Sequence, residues 1–295
     1  MERVKDVMGE IQKNKDLQAS TANPVRFSML DKYCESDVHR GKTVQMMCVD
    51  GEELCPICKR EADNKQLSTE LKHKAKEIQK QKRLDTLLQN SLFEDDNLKQ
   101  AGFKNYYAEK GTEAAHNKQK MIQVSKAYQE GQTFNTWLYG EPGTGKTHLA
   151  VAAIRTINEL SSGKFTCLFV NTSKLMQDIR RTFSNNGFGG ETESSYIERC
   201  ASPDILVLDD LGAESGRIGK ENQASDFVHR VLYAISNERL KKSTIITTNL
   251  TFDELETIYD KKLVSRLKGK HLALDFSQTQ DHRDQKMNVG DVTDG

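Results

Sequence analysis

The stretch Gly140-Glu141-Pro142-Gly143-Thr144-Gly145-Lys146-Thr147 decides how this sequence is read. It satisfies every fixed position of G-x-x-x-x-G-K-[ST], a glycine-rich turn that wraps phosphate groups. The motif alone is weak evidence, so its flanks carry weight. Residues 134–139 (F-N-T-W-L-Y) read as a short buried strand. Residues 148–160 read as a helix, with Leu149, Val151, Ala152, Ile154 and Ile157 at helical spacing. Strand, glycine loop and helix are the context the motif needs.

The chemistry follows from the residue types. Glycines at 140, 143 and 145 let backbone N–H groups close on phosphate without Cβ clashes, and the next helix offers its positive end. Gly140, Gly143, Thr144, Gly145, Lys146, Thr147 and His148 are therefore the candidate nucleotide-contacting residues. Lys146 is expected to reach the β- and γ-phosphates of ATP, and the Thr147 hydroxyl to ligate Mg2+.

Downstream, strand-like and helix-like patterns alternate. Residues 165–170 (F-T-C-L-F-V), 205–208 (I-L-V-L), 243–248 (S-T-I-I-T-T) and 271–276 read as strands. Ser173 is the expected cap of a helix over residues 174–183, residues 184–192 a surface loop, and residues 223–240 a further helix. Two short helices are expected before the last strand. This alternation predicts an α/β fold around a parallel sheet. Asp209 and Asp210 end the most apolar of these strands, where a carboxylate beside a phosphate loop can hold Mg2+ and its neighbour can activate water. Asn249 ends another, where a polar side chain can meet the γ-phosphate and the attacking water.

The front of the chain has a different character. Cys55-Pro56-Ile57-Cys58 is a tight thiol pair, with Cys34, His39 and Cys48 upstream. The pattern C-x4-H-x15-C-x2-C gives a Cys3His Zn2+ site from Cys34, His39, Cys55 and Cys58, with Cys48 as a possible substitute for Cys34 or His39. A redox pair is the rival, but that motif belongs at the start of a helix in a thioredoxin-like pattern, which this front does not suggest. Cys167 and Cys200 are expected to be buried apolar residues.

Composition bounds the rest. The 295 residues carry 36% hydrophobic and 29% charged residues, with formal net charge zero, so no global basic field points to nucleic acid. The charged start lacks a secretion signal and no apolar run reaches a membrane span, which predicts a cytoplasmic protein without membrane partners. Residues 1–62 are expected to form a zinc-binding domain, 63–95 a helical linker, 96–284 the nucleotide domain and 285–295 a flexible tail. The lysines among residues 72–83 are interleaved with Glu70, Glu77 and Asp85, so a solvated helix face is favoured there over a DNA track.

Taken together, residues 140–147, I-L-V-L-D-D at 205–210 and T-T-N at 247–249 resemble the AAA+ ATPase superfamily. The finer resemblance is to helicase loaders of the DnaC/DnaI type, including phage versions. It rests on F-N-T-W-L-Y-G-E-P-G-T-G-K-T-H-L-A, L-V-L-D-D-L-G-A-E, I-I-T-T-N-L and S-R-L, and spans about residues 95–284. The IstB transposition ATPases share the same core. Two departures from ordinary AAA+ proteins are expected to matter: the shorter Asp210 should make ATP hydrolysis slow and partner-stimulated, and the stretch after the last strand leaves no room for a C-terminal helical lid. The implied partners are a hexameric replicative DNA helicase, docked by the zinc-bearing front, and single-stranded DNA. The resemblance implies catalytic roles for Lys146, Asp210 and Asn249, and for Arg266 as an arginine finger acting in trans through self-association. Arg283 is a weaker sensor candidate, and residues 103–106 (F-K-N-Y) are the segment expected near adenine. Asp210 stands where most AAA+ enzymes have glutamate. The rival readings are a transposition ATPase of the IstB type and a nucleotide-switched adaptor with little hydrolysis.

Overall fold

A computed structural model describes residues 26–39, 41–184, 190–215 and 226–281. Arg283, the expected tail and part of the expected 184–192 loop lie outside the described residues. The chain divides into two compact units between Glu77 and Ile78.

The first unit holds three antiparallel strands in the order β1-β2-β3: β1 (Phe27–Cys34), β2 (Val44–Val49) and β3 (Glu52–Leu54). Asp50 and Gly51 join β2 to β3 with φ of 49° and 91°. Two consecutive positive φ values make the tight hairpin that Asp-Gly favours, a signal our sequence reading passed over. Helix α1 (Pro56–Gln89) follows, 34 residues long. It starts inside the thiol pair, at a proline whose missing N–H costs nothing in the first turn. The C-x-x-C does therefore sit at a helix start, contrary to expectation, but behind an antiparallel hairpin rather than a thioredoxin-like βαβ pattern.

The second unit is a five-stranded sheet, order β5-β6-β7-β4-β8, with every neighbouring pair parallel. Its strands are β4 (Asn135–Tyr139), β5 (Cys167–Asn171), β6 (Ile205–Asp209), β7 (Ser243–Thr248) and β8 (His271–Asp275). Side chains alternate between two cores, as the period of a strand dictates. Leu138, Phe169, Val207 and Ile245 meet α2 (Glu113–Gln129) and α3 (Lys146–Leu160) on one face. Trp137, Leu168, Leu206 and Ile246 meet the helices of the other face. Those are α4 (Thr172–Ser184), α5 (Glu193–Ala201), α6 (Asp226–Glu238), α7 (Phe252–Ile258) and α8 (Lys261–Lys268). Both faces being covered explains why β6 reads as a continuous apolar run. Cys167 and Cys200 are fully buried, as expected, and burial pushes the Cys200 thiol up to about 12.

Three local readings change. Ser173 does not cap α4: Asn171 Oδ1 accepts from Lys174 N at 3.0 Å, so the helix begins at Thr172. Helix α5 lies just past the expected loop and is opened by a reciprocal Thr192–Ser195 cap. The back of the expected linker is core: Leu87 is buried, and Leu92 pairs with Val170 in parallel. Leu92 N donates to Phe169 O at 2.8 Å, Asn171 N donates to Leu92 O at 3.0 Å, and Phe93 stacks on Phe169. This short segment covers the free edge of β5. Among the described residues β8 is the last strand or helix, and no helix is long and apolar enough to cross a membrane.

Candidate nucleotide site and metal cluster

Parallel strands bring their C-terminal ends to one side of the sheet, and the strand order reverses between β4 and β7. Ligands bind at such a switch point. The loop after β4, the acids after β6 and Asn249 after β7 converge there on a cavity of about 480 Å³. Gly143, Gly145, Lys146, Thr147, His148, Asp209, Asp210 and Asn249 all line it. The volume suits a nucleotide.

The loop geometry requires its glycines. Gly145 precedes α3 with φ of 85°, and a Cβ there would lie 2.5 Å from the Tyr106 ring. A Cβ on Gly140 would sit 2.8 Å from the Phe276 backbone, and one on Gly143 would overlap the Asp281 carboxylate. Thr144 is fully buried and works from below: its hydroxyl donates to Glu141 O at 2.9 Å, and its carbonyl accepts from Tyr106 OH at 3.3 Å. His148 meets Gly102 O at 3.0 Å and Asn105 Oδ1 at 3.2 Å through Nε2. The 103–106 segment thus braces the loop.

Lys146 is 6% exposed, and its Nζ donates to Gly140 O at 2.8 Å and Glu141 O at 2.6 Å. The ammonium is held over the loop by neutral carbonyls, an arrangement that phosphate oxygens can replace with stronger charged partners. Thr147 Oγ1 and Thr247 Oγ1 each donate to Asp209 Oδ1 at 2.7 Å. Burial raises the Asp209 carboxyl to about 6, with Asp210 adding to it and the two hydroxyls opposing it. A hydroxyl and a buried carboxylate side by side fit a hard divalent cation such as Mg2+.

Asp210 adopts φ of 55° at the end of β6. Its N–H donates to Thr247 Oγ1 at 2.8 Å, and Asn249 Nδ2 donates to its Oδ1 at 3.0 Å. Asp210 lines the cavity beside Asp209 and Asn249. Arg266 does not line this cavity. It lies on α8, donates from Nη1 to Asn237 Oδ1 at 2.8 Å, and stacks 4.6 Å from the Tyr233 ring centre.

Sequence reasoning missed several contributors, Asn171, Glu94, Asp95 and Glu214 among them. Glu94 and Asp95 line the cavity from the segment that edges β5, and their short non-periodic run gave no signal. Glu214 lies in the turn after β6, where Gly212 N donates to its Oε2 at 3.1 Å and Tyr259 OH donates to its Oε1. Burial raises the Glu214 carboxyl to about 7, with backbone N–H groups opposing and Asp210 adding.

In the first unit Cys34, His39, Cys55 and Cys58 bring one ligand atom each to within 4.8 Å of one another. Cys34 and Cys58 sulfurs are 3.8 Å apart, and His39 Nε2 is 3.2 Å from both Cys55 and Cys58. A tetrahedron with Zn–S of about 2.3 Å has edges of roughly 3.8 Å, so the donor set fits zinc. Cys48, on β2, is not in the group.

A family profile described as IstB-like ATP binding protein matches residues 59–270. The replicative helicase loader DnaC of Buchnera aphidicola subsp. Baizongia pistaciae is 26% identical over 177 residues, 59% of this chain and 66% of that protein. The loader of the same name from Escherichia coli K12 is 25% identical over 154 residues, 50% of this chain and 58% of that protein. The chain thus spans somewhat less than two thirds of the length of these curated relatives. A crystal structure of the DnaC helicase loader overlays with TM-score 0.50 at 22% identity, covering 61% of this chain and 99% of that one. One of DnaI gives TM-score 0.50 at 17% identity, covering 63% and 95%. These likenesses establish an AAA+ fold for the second unit. The profile covers well over half of the sequence and contains the phosphate loop, both strand-end acids and Asn249: the chain belongs to the family of IstB-like ATP binding proteins.

Proposed function

We propose that this protein is an ATP-dependent loader that binds a hexameric replicative DNA helicase and delivers it onto single-stranded DNA. The observation that carries the reading is the coupling, in one chain, of a complete strand-end nucleotide site to a Cys3His unit that presents apolar side chains. Phe27, Met29 and Tyr33 recur along β1 and are all more than half exposed. Exposed apolar patches on a small unit favour a protein partner. The relatives named as replicative helicase loaders indicate which partner to test.

In this reading Lys146 leaves the Gly140 and Glu141 carbonyls for the β- and γ-phosphates. Thr147 and Asp209 hold Mg2+, whose charge offsets that of the phosphates. Asp210 accepts a proton from the attacking water, and Asn249 orients both. Asp210 is one methylene shorter than a glutamate, which suits a slow, partner-stimulated ATPase. Arg266 acts on the site of a neighbouring copy. Zinc, held by Cys34, His39, Cys55 and Cys58, fixes the docking unit.

Size-exclusion chromatography with light scattering, on protein mixed with candidate helicases in ATP and separately in ADP, tests this. A nucleotide-dependent complex lost on removing residues 1–62 supports the loader. No complex with any helicase, together with tight duplex-DNA binding, would replace it with a transposition ATPase. A complex formed without measurable ATP turnover would leave a nucleotide-switched adaptor.

A further inference from the structure

The turn after β6 is fastened to more than the nucleotide site. Leu211 N donates to Thr247 O at 2.9 Å, and Thr248 Oγ1 donates to Leu211 O at 2.7 Å, which lock the turn to the end of β7. Gly212, at φ of 105°, lies so close to Leu250 that a Cβ would come within 2.4 Å of Leu250 Cδ1. From this locked turn Glu214 folds back, accepts Gly212 N at 3.1 Å, and takes the Tyr259 hydroxyl on its other oxygen.

Tyr259 is 2% exposed and occupies the junction between α7 and α8. The next residue, Asp260, has φ of 91° and caps α8 by accepting Leu263 N at 2.8 Å. Helix α8 carries Arg266. One short path of packed, hydrogen-bonded groups therefore runs from Asp210 through Glu214 and Tyr259 to the base of the helix bearing Arg266.

We propose that Glu214 is a positioning residue: through Tyr259 it ties the turn that holds Asp210 to the helix that presents Arg266 to a neighbouring copy. A change at the nucleotide shifts Asp210 and its turn, and the Glu214–Tyr259 contact passes that shift to α8. The consequence for hydrolysis rests on the ATPase reading above. The coupling itself does not, because any bound nucleotide that moves Asp210 should be felt at α8.

The test uses the full chain with Tyr259→Phe, Glu214→Ala and Glu214→Gln, and two readouts. Hydrogen exchange, with and without a non-hydrolysable ATP analogue, should show nucleotide-dependent protection over residues 259–268 in the wild type. Tyr259→Phe and Glu214→Ala should lose it, while Glu214→Gln, whose one carbonyl oxygen can take the Tyr259 hydroxyl in place of the Gly212 N–H, should keep it. Steady-state hydrolysis should fall about five-fold or more in kcat for the first two variants with KM little changed, and the double variant should be no worse than either single, as expected of one shared contact. Wild-type exchange over residues 259–268 that ignores nucleotide would overturn the proposal, as would Tyr259→Phe behaving as wild type in both readouts. A wild type that shows the exchange effect but no turnover would uphold the coupling and sink the ATPase reading instead.

Discussion

Thr147 Oγ1 donates to Asp209 Oδ1 across 2.7 Å, joining the first turn of α3 to the last residue of β6. Thr247 donates to the same oxygen at the same distance, yet burial still holds the Asp209 carboxyl above its ordinary range, at about 6. Desolvation that these hydrogen bonds offset only in part makes the resting site costly. Asp209→Asn keeps an acceptor for both hydroxyls and removes the buried charge. It should raise the melting temperature of the nucleotide-free protein by a few degrees while lowering ATP turnover at least about 100-fold. A differential scanning melt beside a phosphate-release assay reads both. A lower melting temperature would show that the charge is already compensated.

Gly145→Ala addresses the loop from beneath. The new Cβ would meet the Tyr106 ring at 2.5 Å, in a backbone conformation of φ 85° that side chains disfavour. Nucleotide affinity should fall at least about ten-fold, measured with a fluorescent ATP analogue. The double change Gly145→Ala with Tyr106→Ala should recover only part of it, because the backbone strain persists after the ring is gone.

The contrast between Gly145 and Tyr106 shows what the sequence made legible. The loop, the two acids after I-L-V-L and the asparagine after I-I-T-T stood out because a fully buried parallel strand is a continuous apolar run with its chemistry at the C-terminal end. The grouping of Cys34, His39, Cys55 and Cys58 was legible from thiol spacing, but the separation of Cys48 from it was not, since that depends on the antiparallel register of β2. Tyr106 as a brace, Leu92 as an edge bridge and Glu214 as a clamp rest on contacts between distant segments, which no local period records. Ser173 misled because serine and asparagine cap helices about equally well, and only the structure distinguishes Asn171.

Glu214 gives the chain a distinct acid dependence. Burial, with Asp210 adding to it, raises the carboxyl from the ordinary glutamate value to about 7. The folded state therefore holds the proton more tightly than the unfolded chain between about 4.5 and about 7. Stability through this group is greatest below about 4.5 and declines as pH rises through that window, by at most on the order of 3 kcal/mol. Glu214→Gln removes the titration. Its stability relative to wild type should rise with pH from 4.5 to 7 in urea unfolding curves and then level off. A difference that stays flat across the window would mean that the carboxyl titrates normally.

The Cys3His cluster predicts metal-dependent folding of the first unit alone. Purified protein should carry close to one zinc per chain, and Cys58→Ser should lose it. Small units with thin cores take much of their folding energy from metal. A strong chelator should expose backbone amides of β1 to β3 to rapid exchange while those of β4 to β8 stay protected. Loss of protection in both units together would mean that they fold as one.

The separation of Arg266 from the nucleotide cavity of its own chain carries the sharpest consequence. On the proposed trans role of Arg266, Arg266→Ala leaves a chain with an intact phosphate loop and no finger, and Lys146→Ala leaves one with a finger and a disabled loop. Each alone should be nearly inactive in ATP hydrolysis. Mixed, they should recover activity, because an Arg266 from the Lys146→Ala chain can complete the site of the Arg266→Ala chain. Recovery should grow with total protein concentration and fall with added salt, as expected for a charged group that must reach across an association. If Arg266 instead served its own chain, or only braced α6 through Asn237 and Tyr233, no mixture would exceed the sum of its parts. Complementation across a titration of mixing ratios separates these cases without knowledge of the helicase, and its dependence on the ratio would report how many neighbours each site needs.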